Sequence, residues 1–547
     1  MKFDRLGISC LFLTISILPV RAQSRETYHG LLTQSVRSDK LPGPQHLGDG
    51  VSEGKLRLSL RDAVLLTLEN NSAVRIDETQ IEDQKFALLR TYQPFDPQLL
   101  GKFNANRISS TGFSQLQGVG NSGNSTFTQL THTAQINYTQ KLQTGTDIFV
   151  DLTSARSSSN NDFFLFNPYF STVLTLQFTQ PLLRNRGMFA NRAPLVIARR
   201  TLQQSRAGFE MQVSDIVLAL VKQYWDVVRA RGNLEVQRKS LEAADASYQR
   251  DKRALELGAL PPLDIYRSES EVASRRVQMI QGEYVLKQAE DALRLTIGAN
   301  QDTYFRALDL DLTEKPEPEG ELRNIDAATA LQEALARRPE FKMTRYALDN
   351  DDTRVRLARN HLQPDLSMTG FYQSNGLGGD QFSFTTGQLI SRGGLGSSLT
   401  QLFGFGFPGY GASLTLNLPI KNRAAQADMG SALVSRHHDL YLAQQVREQI
   451  TLEVSNAVHQ LEQGKLTLAA GRTALDLAQK ALAAAQRKYE LGAEQIFFVL
   501  DAQTRLAEAE LNLLQAQVNY HVAVAAVDHA TAGLLQPYHV QIAELSQ

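Results

Sequence analysis

The chain has 547 residues, 42% of them apolar and 21% charged, with 56 Lys and Arg against 57 Asp and Glu. That balance supplies no basic excess to hold a nucleic acid, and the apolar content excludes disorder as the dominant state. A single cysteine excludes an internal disulfide, a Cys-rich zinc site and a dithiol redox pair.

Lys2 and Arg5 precede an apolar run from Leu6 to Val20, and Val20-Arg21-Ala22 closes it with a small residue. This three-part pattern predicts a secretory signal peptide over residues 1–22, and the run is short for a membrane span. Cys10 lies inside it, which argues against a lipoprotein anchor. Residues 23–59 read as an N-terminal periplasmic segment. A helical pattern follows over 60–93.

From Pro97 to Pro181 the apolar period is two. Leu99, Gly101, Phe103 and Ala105 alternate with polar neighbours, as do Ala134, Ile136 and Tyr138, then Ile148, Val150 and Leu152, then Leu174, Leu176 and Phe178. These predict strands with one apolar face, long enough to cross a bilayer. The connectors at 109–128 and 156–170 read as long polar loops, whereas Gln143-Thr144-Gly145-Thr146 is a tight turn.

The next stretch changes to a period of seven. Val213, Leu220, Val227, Leu234, Leu241, Tyr248 and Leu255 lead to Gly258; Val454, Leu461, Leu468, Leu475, Leu482 and Tyr489 lead to Gly492, at a constant offset of 234 residues. Sustained heptads predict supercoiled helices, and the offset predicts an internal duplication. Each half thus ends in a helical hairpin: about 188–256 returning through 264–297 with a tip at 258, and about 422–490 returning through 495–533 with a tip at 492. Gly464, Gly471 and Ala478 sit three residues after large knobs, a seam that lets antiparallel backbones approach closely. The outgoing helices would each extend about 100 Å.

The repeats then divide as 60–297 and 326–533, joined by an equatorial linker at 298–325 and followed by a tail at 534–547. The second repeat opens with a helical pattern over 326–361 and has its own strands over about 365–418: Leu366, Met368 and Gly370, then Tyr410, Ala412, Leu414 and Leu416. Between them 374–409 reads as another long loop. Its strand region is about 29 residues shorter than the first, the size of one hairpin, about 129–155. That hairpin either joins a barrel wall or stands outside it as a flap. Strands of this kind leave two unpaired edges, which lipid does not tolerate and which a closed head-to-tail ring removes. The fold class expected is mixed: a transmembrane β-barrel shared by several copies in a ring and continued by long α-helical coiled-coil hairpins.

With these features on the page, Tyr224-Trp225, Pro181-Leu182-Leu183, Pro419, the Gly258 and Gly492 tips, and the stretches Ala63 to Ser72 and Ala330 to Pro339 make the chain resemble the TolC family of outer-membrane ducts. The resemblance implies a homotrimer in the outer membrane of a Gram-negative bacterium, one barrel shared by the trimer and set on a helical tunnel reaching into the periplasm. It also implies a periplasmic adaptor, an inner-membrane pump, and a role in efflux or type I secretion. The adaptor would dock at Leu257, Gly258, Leu260, Leu491 and Gly492, though both glycines also fit plain helix caps. The family's gate places an Asp, a Tyr and an Arg at the tips; Asp264 and Tyr489 match, while Glu494 stands where the Arg belongs. Of the family's two acidic rings, Asp501 matches one and Phe498 replaces the other. The repeat sets Arg267 level with Asp501, so three of each would alternate around one aperture plugged by Phe498, unless Arg267 faces the outside.

Chemistry is absent from this reading. His437-His438 point different ways on a helix, the methionines are scattered, and no nucleophile, base and orienter converge. Gly376, Gly378 and Gly379, with Gly393, Gly394 and Gly396, are taken as flexible loop, and Asp349, Asp351 and Asp352 as a solvated helix surface. No metal, cofactor or catalytic residue is expected. The other function class left open is an elongated periplasmic coiled-coil scaffold or adaptor, which shares the heptads without needing amphipathic strands.

Overall fold

The computed structural model describes residues 43–111, 126–161, 164–257, 263, 265–383, 385–491 and 493–538. The expected signal peptide, Gly258, Leu260, Asp264, Gly492 and the end of the tail lie outside the described residues.

The chain begins with two short strands, β1 (Val51–Ser52) and β2 (Lys55–Leu58), then α1 (Leu60–Asn70) and α2 (Ser72–Arg90). The single helix expected at 60–93 is two. Ser59 caps α1 in a reciprocal capping box with Asp62, and the Asn71 side chain accepts from Ala73 N to start α2 afresh. Four strands follow: β3 (Gln98–Thr111), β4 (Thr126–Lys141), β5 (Asp147–Ser159) and β6 (Phe166–Pro181). The long helix α3 (Gly187–Glu256) and its return α4 (Ile265–Thr296) form the first hairpin.

A short α5 (Thr303–Ala307) and strand β7 (Asp309–Leu312) occupy the linker. There β7 pairs in parallel with β2, closing a three-stranded sheet. The second half has α6 (Ala327–Arg337), α7 (Pro339–His361), β8 (Asp365–Phe382), β9 (Leu389–Ser391), α8 (Leu395–Phe403), β10 (Pro408–Asn417), α9 (Arg423–Glu490) and α10 (Ile496–Ala530). Here too the expected helix 326–361 is broken, because Pro339 opens α7 and holds Arg338 extended.

The heptad residues do what their spacing requires. Val213, Leu220, Val227 and Leu234 are buried along α3, as are Val454, Leu461 and Leu468 along α9. The small positions of the second hairpin meet large partners. A Cβ on Gly464 would lie 3.4 Å from Tyr520 Cα, and one on Gly471 3.5 Å from Leu513 Cα. Short helices abut end to end: the Asn71 Nδ2 that begins α2 donates to Thr296 O, the last carbonyl of α4, at 2.9 Å.

The main core lies where these ends meet. Tyr224, fully buried in α3, donates through its hydroxyl to Leu58 O at 3.2 Å and accepts from Glu314 N at 3.3 Å. Trp225 stacks flat on His521 of α10, ring centroids 4.0 Å apart. Burial lowers the His521 pKa, so a neutral imidazole lies on the indole.

Three expectations need correction. The connectors read as 156–170 and 374–409 are largely ordered: β5 runs to Ser159, β6 starts at Phe166, and β8 continues to Phe382. Gly376, Gly378 and Gly379 therefore lie in β8, paired with Thr172, Phe170 and Tyr169 of β6. Their lack of a side chain makes room for α8, since a Cβ on Gly376 would collide with Ser398 O and one on Gly378 with Gly394 O. Asp351 is fully buried rather than solvated, bonded to Arg354 at 2.9 Å and to Ser435 of α9 at 3.4 Å, because α7 is wedged between α3 and α9.

Candidate functional site

Two regions carry the functional expectation, the six-stranded sheet and the hairpin tips. The sheet is antiparallel throughout, in the order β3-β4-β5-β6-β8-β10, with β9 appended to β8. Its register aligns like with like. One continuous row across all six strands reads Leu99, Tyr138, Val150, Leu176, Tyr372 and Tyr410. The next row, one residue along each strand and hence on the other face, reads Leu100, Asn137, Asp151, Thr175, Gln373 and Gly409. A slip of one residue in any strand would invert this division. On the polar face Gln135 Nε2 donates to Asp151 at 2.9 Å, and Asp151 accepts from Thr153 as well.

The hairpin at 129–155 is inside this sheet. Each of β4 and β5 is paired on both sides, β4 with β3 and β5, β5 with β4 and β6. Its turn is seated on the first helical turns: Gly145 (φ 90°) donates to Leu142 O at 2.9 Å, and a Cβ there would lie 2.6 Å from Asn191 Nδ2. Only glycine fits that position. Every strand-to-helix passage, at α2, α3, α7 and α9, lies at this same end of the sheet, and the longer connections lie at the other. Strands β3 and β10 are edges, their residues almost all exposed.

At the opposite extreme of the molecule are the tips. Leu257, the C-cap of the first outgoing helix, is 84% exposed, and Leu491, the C-cap of the second, is 69% exposed. Ala493 N donates back to Lys488 O at 2.9 Å, closing the second turn, and Lys488 Nζ meets Glu494 at 2.7 Å. Glu494 is thus neutralised by a lysine in the last turn of the outgoing helix α9. Tyr489 packs in a small apolar cluster around Ala485, Val499 and Ala502.

The aperture residues are brought together only in part. The Arg267 guanidinium lies 5.9 Å from the Phe497 ring centroid, and Phe497 meets Phe498 edge to face at 5.5 Å. Asp501 is bonded to Arg505 on its own helix at 2.9 Å. Three partners were therefore missed. Phe497 was legible as half of a Phe-Phe doublet and Arg505 as an i,i+4 ion pair. Arg275, nearly buried, gave no signal; it bonds Glu271 at 2.7 Å and reaches across to Thr504 of α10 at 2.6 Å, tying the two return helices.

A second unforeseen group holds the far ends of α10 and α7. His529 lies between Asp215 of α3 at 2.7 Å and Glu453 of α9 at 3.2 Å, and Arg338 meets the same Glu453 at 2.7 Å. Burial works against charge on His529, but its bonds to Asp215 and Glu453 prevail and raise its pKa to about 9. Burial likewise opposes the Glu453 carboxylate, while His529 and Arg338 hold its pKa below the usual value. His438, by contrast, pairs simply with its neighbour Asp439 at 2.8 Å.

An amphipathic sheet run into a pair of long antiparallel hairpins defines the class: an outer-membrane channel subunit with a helical extension. The chain belongs to the outer membrane efflux protein family, whose pattern it matches over residues 147–299 and 330–533. It is 23% identical over 338 residues to the outer membrane protein TolC of Vibrio cholerae, covering 62% of this chain and 72% of that one. It is also 23% identical over 353 residues to the outer membrane efflux protein BepC of Brucella suis, covering 63% and 69%. In structure it is similar to the CmeC outer membrane channel of Campylobacter jejuni, with a TM-score of 0.62, 15% identity, and coverage of 94% and 93%.

Proposed function

We propose that three copies of this outer-membrane efflux protein close their sheets into one barrel of about eighteen strands and their helices into one tunnel, forming a passive duct to the exterior. The observation that carries this is the aligned apolar face ending in two open edges. With six antiparallel strands, β3 and β10 run in opposite directions, so head-to-tail copies can extend the same antiparallel ladder around a ring. Lipid then meets the Leu176 row, and the Asp151 row faces the lumen. The helical hairpins reach into the periplasm, where their exposed leucines meet a periplasmic adaptor that links the duct to an inner-membrane pump of an efflux or type I secretion system.

Planar-bilayer recording tests this. Purified protein should insert as trimers and give discrete conductance steps; a monomer without steps overturns the duct. The same recording tests the aperture. In the ring, Arg267 and Asp501 of neighbouring copies alternate at one level, with Phe497 and Phe498 narrowing the lumen. Exposed ion pairs contribute only about 0.2–1 kcal/mol each, so the closure is weak and salt-sensitive. Arg267→Ala and Asp501→Ala should each raise conductance or change ion preference, and no change in either removes the alternating ring.

The tips carry a separate expectation. Gly258→Leu and Gly492→Leu should abolish export from cells while trimer yield in the outer membrane stays normal. Undiminished export in both variants would leave these glycines a capping role alone.

A further inference from the structure

The helix α8 lies on the sheet, packed against β8 and β6, with no charge on any side. Its Ser398 is buried against the sheet, hydroxyl to hydroxyl with Thr172 of β6, and Ser374 of β8 donates to Leu402 O at 2.6 Å. Thr172, Ser374 and Gly376 belong to the same face as Leu174 and Leu176, so α8 lies on the apolar outside of the wall, at the end away from the long helices. Leu402 is fully buried beside Ser398, Leu395 and Leu399 are half-buried along one flank, and the exposed positions of the helix are Gly396, Ser397, Thr400 and Phe403. Phe403 is 59% exposed and is followed by exposed Phe405 and Phe407. The helix has no charged residue, and its outward hydroxyl is satisfied internally, Thr400 Oγ1 donating to Gly396 O at 2.9 Å.

Charge appears at the same height but not on the helix. The row that passes beneath its start joins Gly378 to Phe170 and Arg156, with the Arg156 guanidinium over the Phe170 ring at 5.9 Å. Arg392, exposed, stands just ahead of the helix. Aromatic and aliphatic side chains beside cationic ones, on a face continuous with a lipid-facing wall, are the composition of a membrane boundary.

We propose that α8 and the segment after it form an interfacial anchor, lying in the outer-leaflet boundary with Phe403, Phe405 and Phe407 among acyl chains and Arg156 and Arg392 on anionic lipid headgroups. It rests on the duct reading, which sets this face against lipid. A helix so placed sinks about 5–10 Å into the headgroup and acyl boundary and fixes the height of the barrel in the bilayer. The glycines of β8 serve that end, since only a strand without side chains lets the helix lie close enough to remain part of the wall.

The test uses full-length protein with Cys10→Ser, labelled with an environment-sensitive fluorophore at Phe403→Cys or, as a wall control, at Ile136→Cys. Both are reconstituted in phosphatidylethanolamine and phosphatidylglycerol vesicles carrying nitroxide lipids. The probe at 403 should be quenched most by nitroxides near the headgroup, and that at 136 by those deeper in the chains, with neither accessible to aqueous iodide. In vesicles of phosphatidylcholine alone, quenching at 403 should fall severalfold while that at 136 holds. If 136 reports lipid but 403 reports water, or is shielded from both quenchers by protein, the anchor is overturned and the duct stands. If both report water, the duct reading falls and takes the anchor with it. Equal quenching at 403 in both vesicle types overturns the headgroup contact.

Discussion

Leu176→Arg is expected to eliminate the assembled protein from the outer membrane, whereas Thr175→Arg, one residue away, should leave assembly intact. Leu176 sits mid-row on the apolar face between Val150 and Tyr372, and Thr175 between Asp151 and Gln373 on the other. An arginine facing lipid near the bilayer centre costs about 2–4 kcal/mol in a barrel, and the proposed trimer would incur it three times. In the proposed barrel the side chain of Thr175→Arg would face the lumen and stay in water. Folded, heat-modifiable trimer on semi-native gels measures both. Normal yield of Leu176→Arg beside loss of Thr175→Arg would mean that the two faces are assigned the wrong way round.

The second large effect is expected at His529. The His529 side chain is nearly buried while those of Asp215 and Glu453 are about half exposed, so removing it costs less than the about 3–5 kcal/mol of a fully buried pair, yet leaves Asp215, Glu453 and, through Glu453, Arg338 without their partner. The pH dependence follows from the sign of the shifts. His529 binds its proton more tightly folded than unfolded, so its contribution, roughly 3 kcal/mol for a pKa raised from 6.5 to about 9, is complete below 6.5 and disappears as pH climbs through 9. Glu453, with a lowered pKa, contributes above its unfolded value of 4.5 and loses that contribution as pH falls through the folded one. His529→Ala should therefore lower Tm strongly near pH 6 and much less near pH 10. An equal loss at both values would show that the imidazolium is not what the two carboxylates hold.

The parts of this fold with long-range periodicity were legible in the sequence. Heptads placed α3 and α9 within a residue of where they lie, because a knob every seven residues is meaningful only on a supercoiled helix. Alternation picked out the residues of the apolar row strand by strand. What it did not convey was register, which emerges only when Val150 is set beside Leu176. Short, non-local features escaped. Four residues of β2 pair in parallel with β7 some 254 positions later, too little pattern to notice. The glycines of β8 read as loop because their reason, the α8 backbone, comes later in the chain. Asp351, Arg275 and His529 looked like ordinary surface charges, since each is buried by helices distant in sequence. At the tips the sequence pointed to Arg267, Phe498 and Asp501, and it passed over the adjacent Phe497 that Arg267 covers.

The hairpin β4-β5 has a consequence for bore. Four helices per copy at a given level, spaced about 8–10 Å apart, would give the proposed closed ring of twelve a perimeter of roughly 100–120 Å. Eighteen strands at about 4.8 Å spacing, tilted about 40° as membrane barrels are, give roughly 113 Å. Twelve strands at the same tilt would give only about 75 Å. Two added strands per copy would thus bring the two walls of the proposed duct to one girth, and whatever travelled up its helical section would meet no funnel where it becomes sheet.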